Sequence, residues 1–139
     1  MAESTRPRVD GQPMALELPF AAESAAIARA QLVEWMHRLE THQERRDDAR
    51  LVVSELVGNA VRHARPLADG NMRVSWGAGP TGLDISVTDG GARTSPTRTE
   101  AGLSALAGRG LAIVETLADR WWVESTRSRT TVHALLDLA

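Results

Sequence analysis

Apolar and polar positions alternate or recur with clear periods along most of this chain. Ala15–Phe20 (ALELPF) reads as a short edge strand, because Pro19 cannot donate to a central ladder. Ser24 to about Leu39 lacks Gly and Pro, and Leu32, Trp35, Met36 and Leu39 recur at helical spacing. Asp47–Ala64 is the clearest helix, with Val53, Leu56, Val57, Ala60 and Ala64 on one stripe. Asp47 or Asp48 is suited to its positive N-terminal end, and Pro66 and Gly70 follow its C-terminal end. The Arg-rich stretch before it, Gln43–Arg50, reads as a solvated lead into that helix. On the far side Asn71–Gly77 sets Met72, Val74 and Trp76 against Arg73 and Ser75, and Leu83–Asp89 alternates likewise. The turn Gly79-Pro80-Thr81-Gly82 joins them into an antiparallel hairpin. Residues 90–108 are Gly-, Ser-, Thr- and Arg-rich, a long loop of the kind usually kept for function. A helix over Gly110–Ala118 and strands over Trp121–Thr126 and Thr130–Leu138 complete the pattern. The expectation is an α/β two-layer sandwich, with a mostly antiparallel sheet covered by helices on one face. Residues 1–14 read as a flexible tail and residues 15–139 as a single domain.

Composition narrows the chemistry. At 139 residues, 42% hydrophobic and 24% charged, the chain has the make-up of an ordinary globular domain. Cysteine is absent, which removes disulfides, thiolate metal sites and thiol nucleophiles together. A net charge of −2 argues against a nucleic-acid footprint. Lysine is absent too, so neither a Walker phosphate loop nor a eukaryotic-type kinase strand lysine can be built. His37, His42, His63 and His133 lack metal-ligand spacing, and no GxSxG elbow exists. No apolar signal core and no spanning run of roughly 20 apolar residues are present, so a cytoplasmic location with no membrane partner is expected.

Three polar groupings remain. Glu55, Asn59 and Arg62 share a helical face set opposite the apolar stripe. Carboxylate, amide and guanidinium on one wall suit a nucleophile, a hard cation and a phosphate, and equally suit a solvated face with an ion pair. Gly58 beside Asn59 costs roughly 1 kcal/mol of helix propensity, which suggests close approach to the backbone or a packing gap. Asp89 has the inward parity of Leu83, Ile85 and Val87 and precedes Gly90-Gly91. It can accept a hydrogen bond from a nucleobase amine or close an Asx turn. Gly108-Arg109-Gly110-Leu111 opens a helix, where free N–H groups suit phosphate or simply mark a loop-to-helix junction.

Taken in order, these segments resemble the N, G1 and G2 boxes of the GHKL-type (Bergerat-fold) ATPases and kinases. Within them the chain is most similar to the histidine-kinase-like proteins of the anti-sigma-factor serine/threonine kinase group. LVVSELVGNAVRHA (51–64) carries the resemblance, supported by GRGLAIVETLADRW (108–121), and the likeness spans about Leu16 to Leu138. It implies ATP and Mg²⁺ as cofactors, with Asn59 on the metal and Glu55 as general base or acceptor positioner. It implies phosphate contact for Arg62, adenine recognition by Asp89 with Gly91 allowing close approach, and a lid over 92–107. Gly108, Arg109, Gly110 and Leu111 would border phosphates and sugar, and Thr130 would lie beside the nucleotide, with Thr131 as the alternative. The implied partners are an anti-sigma-factor antagonist bearing an acceptor serine and a sigma factor, and a homodimer is allowed. The chain departs from the family pattern at Arg93 and Arg129, where glycines are usual. The resulting expectation is a Mg²⁺-ATP-dependent kinase of a small regulatory protein, and the rival is an ATP-gated interaction module that transfers nothing.

Overall fold

In the computed structural model, which describes residues 12–91 and 111–138, every alternating segment is a strand of one sheet. The strands are β1 (Met14–Pro19), β2 (Asn71–Gly79), β3 (Gly82–Asp89), β4 (Arg120–Ser125) and β5 (Thr130–Leu136). Their order is β1-β2-β3-β5-β4 and every neighbouring pair is antiparallel. β1 is an edge strand, where Pro19 is tolerated.

Register explains how one face becomes core. Leu16, Val74, Val87, Val132 and Val123 are successive cross-strand partners, and so are Met14, Trp76, Ile85, Ala134 and Trp121. These two apolar rows cross all five strands on one face, with Leu83, Leu136 and Met72 beside them. Directly beyond the valine row, Asp89, Thr130 and Ser125 are partners in the same way. The apolar face therefore ends in a polar row. The opposite face carries Arg73, Thr88, Thr131 and Glu124 in one row and Ser75, Ser86, His133 and Trp122 in the next.

The helices are α1 (Ser24–Arg38), α2 (Gln43–His63) and α3 (Ala112–Leu117). α2 packs on α1, on α3 and on β3, so it is covered on more than one side. Leu32, Trp35 and Met36 of α1 and Val52, Val53, Leu56 and Val57 of α2 are essentially inaccessible. Trp35 meets Trp76 edge-on with ring centroids 6.4 Å apart, and its Nε1 donates to the Gln12 carbonyl. The two-layer α/β sandwich read from the sequence is the observed fold.

Three details differ from the sequence reading. α2 begins at Gln43 with His42 at its N-cap, so Asp47 and Asp48 lie inside the helix instead of capping it. There they meet Arg50 and Arg45 three residues away. β1 starts at Met14, so the tail reading of residues 1–14 falls, apart from 12–14, outside the described residues. α3 spans Ala112–Leu117 within the predicted Gly110–Ala118.

Candidate functional site

The polar row at the sheet's end and the C-terminal half of α2 are held together by the chain itself. After α2, the Gly90 N–H donates to the Arg65 carbonyl at 2.7 Å and the Arg65 N–H donates to the Gly91 carbonyl at 2.9 Å. This bridge fixes the helix bearing Asn59 against the strand bearing Asp89. It also explains Gly90: a Cβ there would stand 2.1 Å from the Pro66 carbonyl oxygen, which no side chain survives. Gly91 follows with φ of +101°, a conformation L side chains rarely adopt.

Asp89 is 5% exposed. Its Oδ1 accepts the Gly91 N–H at 2.8 Å, closing the Asx turn that the sequence allowed. One carboxylate oxygen is thus used internally, and the second remains for a ligand. Burial pushes the carboxyl up to about 6, against the lowering effect of the Gly91 hydrogen bond. Thr130 is the cross-strand partner of Asp89, and its Oγ1 lies 3.3 Å from Ser125 Oγ. Thr131 points to the opposite face, where its hydroxyl meets Thr88 Oγ1 at 2.8 Å. Of the two threonines, Thr130 stands in the row with Asp89. The sequence reading did not single out Ser125. Counting register back from the Arg127-Ser128-Arg129 turn, across which Thr126 N–H meets the Arg129 carbonyl, would have found it.

Asn59 is not set opposite the apolar stripe as its spacing suggested. It is 3% exposed, and so is buried with Val52, seven residues earlier and therefore on the same side of the helix. The reason is that α2 is packed on several sides, which widens its buried arc beyond the single stripe. The Asn59 Oδ1 is enclosed and has no hydrogen-bond partner among the described residues. Buried polar atoms are nearly always paired, so an enclosed lone acceptor is matched to something the protein alone does not supply. Mg²⁺ fits this atom: an amide oxygen is a hard ligand, and Mg²⁺ completes its shell with phosphates and water. Among the described residues no group of three His, Asp or Glu side chains could hold a metal, so protein carboxylates provide no rival cage.

Glu55 is half-buried one turn before Asn59, and Arg62 is exposed. They form no ion pair with each other, which removes the intrahelical pair as the reason for their spacing. The Arg62 guanidinium instead lies over Gly58, where a Cβ would come 3.0 Å from Nη1. The space left by Gly58 is filled by the arginine four residues on. Leu111, at the N-cap of α3, is fully buried in the core, so the side chain proposed to border the sugar faces hydrocarbon. Only its backbone can face a ligand. Gly108, Arg109, Gly110, the lid segment 92–107 and Arg93 lie outside the described residues.

Comparison with known proteins places the chain. The sequence profile of the histidine kinase-like ATPase domain matches residues 18–135. An anti-sigma F factor from Pasteuria penetrans is 34% identical over 135 residues, covering 90% of each chain. A crystal structure of the RsbU and RsbW domains of Rv1364c from Mycobacterium tuberculosis superposes with a TM-score of 0.70 at 25% identity. That match covers 91% of this chain and 32% of the other, so this chain spans about a third of that protein. The SiaB–SiaC complex from Pseudomonas aeruginosa shares the fold, with a TM-score of 0.65 at 13% identity over 97% of this chain and 95% of that one. The chain belongs to the histidine kinase-like ATPase domain family.

Proposed function

We propose that this family member binds Mg²⁺-ATP and transfers its γ-phosphoryl group to a serine or threonine of a small antagonist protein, controlling a sigma factor. The single observation that carries the reading is the enclosed, partnerless Asn59 Oδ1, held by the Arg65–Gly90–Gly91 bridge to the same end of the sheet as Asp89. The anti-sigma F factor name of a relative covering nine-tenths of the chain supports the regulatory role.

In this reading Asp89 orients the base through its free oxygen, which accepts the adenine amine. Thr130 and Ser125 offer hydroxyls beside it. Asn59 Oδ1 holds the metal, which when bound neutralises phosphate charge and fixes its geometry. Arg62 swings from over Gly58 to meet phosphate. Glu55 holds the acceptor hydroxyl and takes its proton as the new O–P bond forms and the β–γ bridging bond breaks, leaving ADP. The expected compartment is the cytoplasm. Among the described residues no helix is long and apolar enough to cross a membrane.

The decisive experiment compares wild type with Glu55→Gln, which keeps size and removes the charge. ATP affinity should be nearly unchanged, while single-turnover transfer to an antagonist protein should fall by roughly 10²–10⁴. Loss of both together would move Glu55 to the metal shell. The second reading, an ATP-gated interaction module, is favoured by the exposed Arg129, which stands before Thr130 where the family has glycine. Tight ATP binding by a wild type that transfers nothing would establish that reading instead.

A further inference from the structure

Far from this site, α1 and the first half of α2 enclose a groove of about 470 Å³ whose lining includes Arg29, Arg46, Arg50 and His37 against a single carboxylate, Glu34. Ala26 and Ala30 lie along it, so nothing bulky keeps a partner's backbone away. The charges are not cancelled from within. Arg29 Nη1 donates to the neutral Ser54 Oγ at 3.0 Å. Arg46 donates to the Thr41 carbonyl and to Gln43 Oε1, both neutral, while its buried Nε has no partner. Arg50 reaches Asp47 only at 3.8 Å, with both side chains about half exposed, which is a weak pair. A cationic groove on a chain of net charge −2 is a local feature that the overall composition does not produce.

We infer that this groove receives an acidic, extended segment of the partner protein, its carboxylates reaching Arg29, Arg46 and Arg50. The inference rests on the partner-binding half of the proposed function. It adds a docking surface separate from the nucleotide site, since thirteen residues of α2 between Arg46 and Asn59 span about 20 Å. Guanidinium groups are the natural readers of carboxylates, because their fork of donors matches two oxygens at once.

The test uses anisotropy of a fluorescein-labelled peptide of alternating Glu and Ala, its Lys–Ala counterpart and an oligodeoxythymidine, at low and moderate salt. The Glu–Ala peptide should bind wild type, weaken as salt rises, and lose about tenfold or more with Arg46→Glu plus Arg50→Glu. The Lys–Ala peptide should not bind. Arg29→Gln plus Arg50→Gln, which spares the Arg46 contacts to Thr41 and Gln43, should show the same loss if the first pair folds poorly. Equal binding by wild type and the Gln pair, or no binding at low salt, overturns the proposal. Tighter binding of the oligodeoxythymidine than of the peptide overturns it as well. Titrating ATP into the same proteins keeps the two readings apart: the groove variants should bind ATP like wild type, and a wild type that binds no ATP counts against the nucleotide site alone.

Discussion

A buried acceptor without a donor costs roughly 1–3 kcal/mol, and Asn59 Oδ1 carries that cost in the ligand-free chain. Asn59→Ala should therefore weaken Mg²⁺-dependent ATP binding by at least about tenfold, or ~1.4 kcal/mol, while thermal stability without nucleotide changes little or rises. Calorimetric titration with and without Mg²⁺, beside a thermal melt, checks both. Equal ATP affinity in the two proteins would return Asn59 to a packing role. Asp89 behaves analogously through its proton. Its carboxyl is raised to about 6 by burial, so its contribution to stability is complete below pH ~4 and is lost as pH rises through about 6. At pH 7.5 the charged group is held in place at a cost on the order of 3 kcal/mol at most. Asp89→Asn should thus raise the nucleotide-free melting temperature at that pH. The same change should lower ATP affinity about ten- to a hundredfold, since a donor then faces the adenine amine. Wild-type affinity should also fall as pH drops through about 6, because protonation removes the acceptor, and the variant should lose that dependence. A variant that keeps both ATP affinity and its preference over GTP would leave Asp89 as a turn residue alone.

At the scale of elements, α2 and the bridge behind it decide the site. Gly90→Ala sets a Cβ against the Pro66 carbonyl, a backbone atom that cannot rotate away. It should cost several kcal/mol, on the scale of other severe backbone conflicts, and detach the helix end from the sheet. Urea unfolding measures it. Gly58→Ala is the contrasting case, because the neighbour is the movable end of Arg62. There the gain in helix propensity, about 1 kcal/mol, should outweigh the displacement, and ATP affinity reports whether the resting position of Arg62 matters. The period of α2 was legible in the sequence because Val53, Leu56, Val57 and Ala60 repeat along one stripe. The burial of Asn59 was not, since a single helix's pattern does not say how many neighbours cover it. The start of α2 was misplaced for a related reason: Asp47 and Asp48 are good N-terminal residues, but paired with Arg50 and Arg45 they sit comfortably inside a helix.

Over the whole molecule, strand alternation with a Gly-Pro-Thr-Gly turn was enough to read β2 and β3, and inward parity was enough to place Asp89. Strand order was beyond reach from parity alone, because β5 inserts between β3 and β4 through pairings that no local pattern specifies. That insertion makes Asp89 and Thr130 neighbours across more than forty residues of sequence, and so creates the polar row. The four tryptophans are distributed by the same sheet. Trp35 and Trp76 are enclosed between the layers, whereas Trp121 and Trp122 on β4 are partly open, and Trp122 stacks on His133 at 4.7 Å with Arg120 above it. With no tyrosine in the chain, its near-ultraviolet emission belongs to these two pairs alone. The enclosed pair should emit at short wavelength and resist acrylamide, and the β4 pair should be quenched first. The protein thus carries an optical gauge in which one colour reports the integrity of the core and the other the state of the outer strand.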